Sequence, residues 1–386
     1  LTLLRDWTTV EFSTLATNPP EIPMRSLSLS VAVAALCTVG LSAVAAEPGA
    51  KEEIRTFKEG PRQLTVWKVP NIPEAAEPYY ATDNTTLIAQ MQDPTAVRAK
   101  EGASGGALTW TFTDRGENLR RINATGQDAC SYFFPDMKKV VFTSIRDNLD
   151  LPLGNWSDPR DYPIGSELYM ADIDGSNVRR LTNNKVYDAE ISVSPDGKWI
   201  VFGRQENGNM DIWRMRADGT GQEPVTSTPD WEEGRPMYLP DSETIMFRAW
   251  KYEDYGKKRP TPMTVFTIKH DGTGLKARTF DDGMNWSSYP APDGRHFFAV
   301  RIIENNNWEI FLFDMENPGK EPERITWNDS FDGFPSVSPD GTKLVFARSL
   351  GKRFMADNFV HVMDITPLGI GPKAKPAATA GTRTGP

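Results

Sequence analysis

The side chains able to do chemistry in this chain recur in short, similar segments. Five segments join a carboxylate or amide to an aromatic or small neighbour: Gln127-Asp128-Ala129-Cys130, Tyr187-Asp188-Ala189-Glu190, Trp231-Glu232-Glu233, Asn285-Trp286-Ser287 and Phe331-Asp332-Gly333. Three arginines, Arg204, Arg301 and Arg348, occupy one register at the end of an apolar run. Such a set suits recognition better than bond making. Carboxylates facing guanidinium groups form charge-assisted hydrogen bonds, and aromatics beside charges suit a protein or sugar partner. The arginines either pair with these acids inside the fold or contact a ligand; both readings stand. The candidate binding residues are Asp128, Tyr187, Asp188, Glu190, Trp231, Glu233, Trp286, Phe331 and Asp332, with Arg204, Arg301 and Arg348.

Covalent and metal chemistry find less support. The three histidines, His270, His296 and His361, fall at different points of the repeating pattern described below, so no His-rich metal site is expected. Gly102-Ala103-Ser104-Gly105-Gly106 has the spacing of a nucleophile elbow, but that elbow needs a strand before it and a helix after it. A Gly/Ala/Ser loop is expected here instead. Asp172-Ile173-Asp174-Gly175-Ser176-Asn177 lacks the ligand spacing and distant Glu of an EF-hand and reads as a hairpin turn. Cys130 has no basic neighbour in sequence to lower its pKa and is expected as a buried small side chain. No cofactor is expected; a calcium or magnesium ion on acids converging at a central channel is the one exception the pattern admits.

The elements that carry these residues are short strands. Ile191–Thr226 holds the clearest unit: Ile191–Ser194, a Pro195-Asp196-Gly197 turn, an apolar run Trp199–Gly203, a polar loop Gln205–Met210, an alternating Asp211–Arg216, an Asp218-Gly219 turn and a polar Glu223–Thr226. A four-stranded sheet grading from buried to polar is one propeller blade. The same order recurs from Tyr132, from Tyr238, from Pro290 and from Val337, with a fainter copy from Tyr80. Six units of roughly 45–60 residues predict an all-β, six-bladed β-propeller; a sandwich would not repeat its turn chemistry. Gly197, Gly294 and Gly341 are expected at positive φ, with Asn84 tolerating it and Met137 and Ser242 strained.

The two ends of the chain complete the plan. After Val360–Asp364 the chain enters Pro367 and a Gly/Pro/Ala/Thr-rich stretch, so residues 367–386 read as a disordered tail. The last blade then lacks a fourth strand. Arg62-Gln63-Leu64-Thr65 matches the strand ending Arg180-Leu181-Thr182 and is expected to supply it. Met24-Arg25, an apolar run and Ala43-Val44-Ala45 have the parts of a secretory signal peptide over residues 24–46. Residues 1–23 then read as upstream, non-mature sequence, 47–61 as a linker and 62–366 as the propeller. Cys130 is the one cysteine after the leader, so no intrachain disulfide is expected. The net charge of −9 argues against nucleic acid and anionic membrane surfaces.

Ser-Pro-Asp-Gly, an apolar strand, a short acidic-apolar strand, Asp-Gly-Ser/Thr and Arg-Leu-Thr together resemble the WD40-like repeat of the TolB-like proteins. The resemblance covers Arg62 to about Thr366 and is closest over residues 191–226 and 334–348. It implies an exported, periplasmic or secreted six-bladed propeller that binds other macromolecules. It does not extend to the separate N-terminal α/β domain of TolB itself, since only residues 47–61 stand before the first propeller strand. Strand alternation places the blade-to-blade and second-to-third-strand connections on one face. The insertions Arg146–Ser166, Lys251–Pro262, Gly351–Asn358 and Asp93–Gly106 crowd that face, which is therefore expected to bind. The expected function is a protein–protein interaction scaffold using this face and the central channel, monomeric and without membrane insertion once the leader is removed. The alternative is a carbohydrate-binding or lyase-like propeller enzyme, since some oligogalacturonate lyases use a similar propeller with a His-lined metal site.

Overall fold

The computed structural model describes residues 53–97, 104–206, 208–351 and 357–372. They form six antiparallel sheets whose first strands lie innermost. Blade 1 comprises Ala75–Tyr80, Thr86–Val97, Ser104–Thr113 and Arg120–Arg121. Blade 2 comprises Asp128–Phe133, Lys139–Ser144, Glu167–Asp172 and Arg179–Arg180. Blade 3 follows with Tyr187–Val193, Trp199–Glu206, Asn209–Arg216 and Glu223–Pro224. Blade 4 holds Trp231–Tyr238, Thr244–Lys251, Thr264–Lys269 and Lys276–Ala277. Blade 5 holds Trp286–Pro290, His296–Ile303, Asn307–Asp314 and Glu323–Arg324. Blade 6 begins Asp332–Val337, Lys343–Ser349 and Asn358–Asp364.

The repeat chemistry explains these strands. Second strands are covered on both faces: Val140–Phe142, Ile200–Phe202, Ile245–Phe247 and Leu344–Phe346 have at most 1% of their surface exposed. In the first turns Gly197, Gly294 and Gly341 adopt φ of 72°, 69° and 73°. Asn84, Met137 and Ser242 hold the same left-handed position at 60°, 56° and 61° without changing the turn. Part of that strain has a counterpart: Ser242 Oγ accepts the Asp196 N–H of the preceding blade, and Asn84 Oδ1 accepts that of Asp340. The threonine of the Arg-Leu-Thr type ending stands in for a missing ladder residue. Oγ1 of Thr182, Thr226, Thr279 and Thr326 accepts the N–H of Leu168, Ile212, Val265 and Ile310 at 2.9–3.0 Å. Fourth strands of two residues therefore suffice, shorter than the Glu223–Thr226 read from sequence.

Two expected loops are strands. Trp199–Glu206 and Asn209–Arg216 pair out to Glu206↔Asn209, so Gln205–Met210 is the tip of a tight hairpin. Polarity concealed the strand ends there. In blade 1, pairing continues through Asp93↔Gly106 to Val97↔Ser104, so the expected insertion lengthens the sheet. Ser104 thus opens a strand, and the strand-to-helix elbow of a serine nucleophile is not formed around it.

The ring closes as the sequence predicts, with one addition. Leu64–Lys68 pairs antiparallel with Asn358–Asp364 through Thr65↔Asp364 and Lys68↔His361. A further strand, Thr56–Glu59, pairs with Leu64–Lys68 and makes blade 6 five-stranded. It lay in what read as a linker. The leader-like stretch 24–46 and residues 373–386 fall outside the described residues.

Closure buries Leu64, Val66 and Trp67 to 3%, 0% and 7% exposure. Deleting the chain up to Lys68 removes these side chains and a full strand pairing. A loss of roughly 5 kcal/mol or more is expected. A thermal melt unchanged by the deletion would show that the ring does not depend on this strand.

Candidate functional site

Every first strand carries a β-bulge, and the same register is distorted in all six. The extra residue is left-handed and not glycine: Glu77, Cys130, Glu190, Arg235, Ser287 and Phe334, with φ between 38° and 56°. Six such residues around one axis are a concentration of backbone strain of the kind found at functional sites. Sequence reasoning missed the ring. Its signal was weak: Glu77-Pro78, Arg235-Pro236 and Phe334-Pro335 put proline after the bulge in blades 1, 4 and 6 alone.

Two residues before each bulge stand Ala75, Asp128, Asp188, Glu233, Asn285 and Asp332, which explains the recurring acids. Where the second strand offers arginine, the pair is buried and bidentate. Arg204 Nε and Nη2 donate to Asp188 at 2.7 and 2.8 Å. Arg348 donates to Asp332 at 2.8 and 2.6 Å and to Glu59 of the closing hairpin at 2.7 and 2.8 Å. Burial pushes the Asp188 and Asp332 carboxyls above the ordinary carboxylate value, against the pull of the guanidinium groups. In blade 5 the acid is replaced by Asn285, and Arg301 reaches past it to Asp281. In blades 2 and 4 the arginine is replaced by Ser144 and Ala249. Asp128 is then held by Thr109 and Asn123 and is pushed by burial to about 6. Glu233 is held by Thr226 and Thr228 and is pushed by burial to about 7.

These positions fix what the residues can reach. Asp128, Asp188, Glu233, Phe331, Asp332, Arg204 and Arg348 have 5% exposure or less, and the charged ones bond to groups inside the propeller. Tyr187 is buried under the blade 2 insertion, stacked on Tyr162 at 4.1 Å. Trp231, Trp286, Glu190 and Arg301 keep partial exposure. Trp286 packs edge-on against Phe334 at 4.9 Å and Trp308 at 5.6 Å. The structure therefore does not gather the twelve residues at one accessible mouth.

Nor is the axis an open channel. Glu77 of blade 1 accepts the bulge N–H of Cys130 at 2.9 Å, and Glu190 of blade 3 accepts that of Arg235 in blade 4. Glu190 also binds Arg248 at 2.8 Å. The Arg235 guanidinium crosses the axis to the ring of Tyr79 in the opposite blade. Burial, then the Glu77 charge, pushes the Cys130 thiol well up, so it stays protonated and is a poor nucleophile. The histidines lie apart: His270 edge-on to Trp199, His296 against Asp293 at 2.6 Å, and His361 on Phe346, where burial lowers it to about 3.

The concave surface lies on the other face, around the Pro-Asp-Gly turns. A funnel of about 290 Å³ is lined from all six blades and by Pro372 of the segment after blade 6. Pro135, Pro195, Pro240, Pro292 and Pro339 line it, with Tyr80, Phe134 and Tyr238. Tyr132 and Tyr289, from opposite blades, also line it and meet across the axis with hydroxyls 3.1 Å apart. The proline that pre-sets each turn thus also builds the funnel.

No protein-family model matches the chain. An uncharacterised protein of Agrobacterium fabrum is 28% identical over 179 residues, covering 44% of this chain and 53% of the relative. The match thus spans about half the length of that relative. Among solved structures, TolB from Acinetobacter baumannii superposes with a TM-score of 0.52 and 19% identity, over 75% of this chain and 67% of that one. An oligogalacturonate lyase from Vibrio parahaemolyticus superposes with a TM-score of 0.53 and 11% identity, over 81% and 96%. At these identities the likeness is one of fold, and this chain's fold is a TolB-like six-bladed β-propeller.

Two outcomes follow from the buried groups. Arg348→Met strands Asp332 and Glu59 and is expected to cost about 3–5 kcal/mol. Arg301→Met, facing the half-exposed Asp281, should cost under about 1 kcal/mol in the same denaturant titration. Equal losses would refute the division into buried and open pairs. Glu232 is fully buried with one oxygen unpartnered, and burial raises it to about 8. Burial likewise raises Glu309 to about 7. A raised acid adds stability below its unfolded pKa and loses it as pH rises through the folded value. The melting temperature should therefore climb as pH falls from about 8 towards 5, and Glu232→Gln should reduce that slope throughout and remove most of it above pH 7, where Glu309 has ceased to contribute. A profile unchanged by that substitution would exclude Glu232 as a source of the slope.

Proposed function

We propose that this propeller is an exported, non-catalytic scaffold, and that a protein partner docks at the funnel on its turn face. The observation that carries this reading is the funnel itself, a concave aromatic and proline surface to which every blade contributes. Such walls suit an extended segment of a partner chain, whose backbone loses little freedom when it is already extended. A TolB-type fold supports the same class of function. Export rests on the leader-like residues 24–46, and no helix among the described residues is long and apolar enough to cross a membrane. A monomer that does not bind nucleic acid completes the proposal.

The loop face is a second reading with an observation of its own: Ile164, Phe280 and Leu350 are exposed there at 55%, 70% and 57%. The lyase alternative rests on fold alone, and three histidines in three different blades give it no focus.

Affinity capture on four variants with equal melting temperatures separates the faces. Pro195→Arg and Pro240→Arg alter the funnel rim; Ile164→Arg and Phe280→Arg alter the loop face. The partner retained by the unaltered protein should be weakened at least about tenfold by the funnel pair and under about threefold by the loop pair. The reverse result transfers the function to the loop face. If no protein is specifically retained by the unaltered propeller, the scaffold reading falls.

A further inference from the structure

Beneath the funnel, side chains cross the axis in two layers. The first is the Tyr132–Tyr289 hydroxyl pair. Tyr79 packs on both rings, with centroids 5.3 and 6.2 Å away. Arg235 also lies against Tyr79, 5.4 Å from its ring centroid and 5.8 Å from that of Phe334. Arg235 is 6% exposed, yet its bonding is poor. Nη2 reaches the Pro335 carbonyl at 3.5 Å, and Nε has no partner. Among the described residues Arg235 has no ion pair. The acids nearby serve other donors: Glu190 holds Arg248 and a bulge N–H, and Glu77 holds the Cys130 N–H. Ser287 Oγ, on the equivalent bulge of blade 5, is also buried without a partner. Donors buried in this way carry a desolvation cost until an acceptor meets them.

We propose that the funnel and Arg235 form a receptor for an apolar-bodied monocarboxylate. This rests on the funnel being a binding site and names what enters it. The apolar body lies against Phe134, Tyr238 and the rim prolines. The carboxylate parts the Tyr132 and Tyr289 hydroxyls, which then donate to it, and reaches Nε of Arg235. One neutral hydrogen bond between two phenols is exchanged for charge-assisted bonds, each roughly twice as strong. Apolar walls over one or two convergent polar groups are the usual composition of a ligand pocket. The carboxylate belongs either to a small free acid or to the C-terminus of a polypeptide ending in a large apolar residue.

Calorimetric titration of the intact propeller tests this with four probes: 3-phenylpropionate, 3-phenylpropionamide, and N-acetyl-Ala-Ala-Phe as free acid and as amide. At least one acid should bind about tenfold or more tighter than its amide. Preference confined to the peptide identifies a C-terminus as the source; preference confined to phenylpropionate identifies a small acid. Equal binding of acid and amide in both pairs, or binding by none of the four, overturns the proposal. Arg235→Gln should erase the preference. Because Arg235 is buried, the Tyr132→Phe/Tyr289→Phe double variant is a second arm: it keeps both rings and should weaken the acid while leaving the amide unchanged. A preference that survives both variants also overturns the assignment. If a protein partner is captured at the funnel while acids and amides bind alike, the scaffold reading stands and only the carboxylate assignment falls.

Discussion

Everything in this protein depends on closing the ring. A blade has two broad faces, and each is covered only by its neighbour. An unpaired blade 6 would leave two faces bare at once. The strand Leu64–Lys68 prevents this by joining the beginning of the propeller to its end. It does more than extend a sheet. Trp67 Nε1 donates to the Asp114 carbonyl of blade 1 at 3.1 Å, and Lys343 of blade 6 binds Asp114 and the Asn84 carbonyl. Blade 1 is thus fastened to blade 6 by the strand and by side chains around it. The buried Glu59–Arg348–Asp332 group fixes the closing hairpin to the second strand of the same blade.

Closure also dictates what happens at the axis. Six inner strands converge there, and each sheds one residue from its ladder as a bulge. The bulge N–H then has no strand partner, and two of the carboxylates found at the axis supply one. Glu77 and Glu190 each bind the bulge N–H of the next blade, so their presence is a consequence of the fold. Arg235 is not accounted for in this way. Its charge balances the two acids at a distance, but its Nε is left without an acceptor. A structural explanation covers the acids of the axis and stops at the arginine.

The blades were legible in the sequence because their rules are local. A Pro-Asp-Gly turn, an apolar second strand and a terminal threonine each report on residues within a few positions of themselves. The second-strand arginines were legible for the same reason: Arg204 and Arg348 lie opposite Asp188 and Asp332 in the ladder. What could not be read was exposure. Phe331 and Asp332 sit in a segment that looks like a loop, yet the neighbouring blade and the closing hairpin cover them completely. Polarity misled twice more, where Gln205, Glu206 and Asn209 in blade 3 and Asp93 and Ser104 in blade 1 continue a sheet beyond the core. The funnel was hidden by a different effect. Its prolines are turn-formers in sequence, and only their arrangement around one axis makes them a surface.

The filled axis has a consequence for how such a protein can work. Tyr132–Tyr289 and Arg235–Tyr79 bridge opposite blades at two levels, so neither face opens onto the other. A partner segment cannot thread through the ring while these contacts hold, and a ligand entering the funnel meets the tyrosine layer first. The same bridges tie diametrically opposed blades together. A ligand that parts the tyrosine pair therefore acts on blades 2 and 5 together, and through Tyr79 on blades 1 and 4. Two bridging contacts, each between opposite blades, make the centre of the ring the place where occupation of one face would be felt by most of the structure.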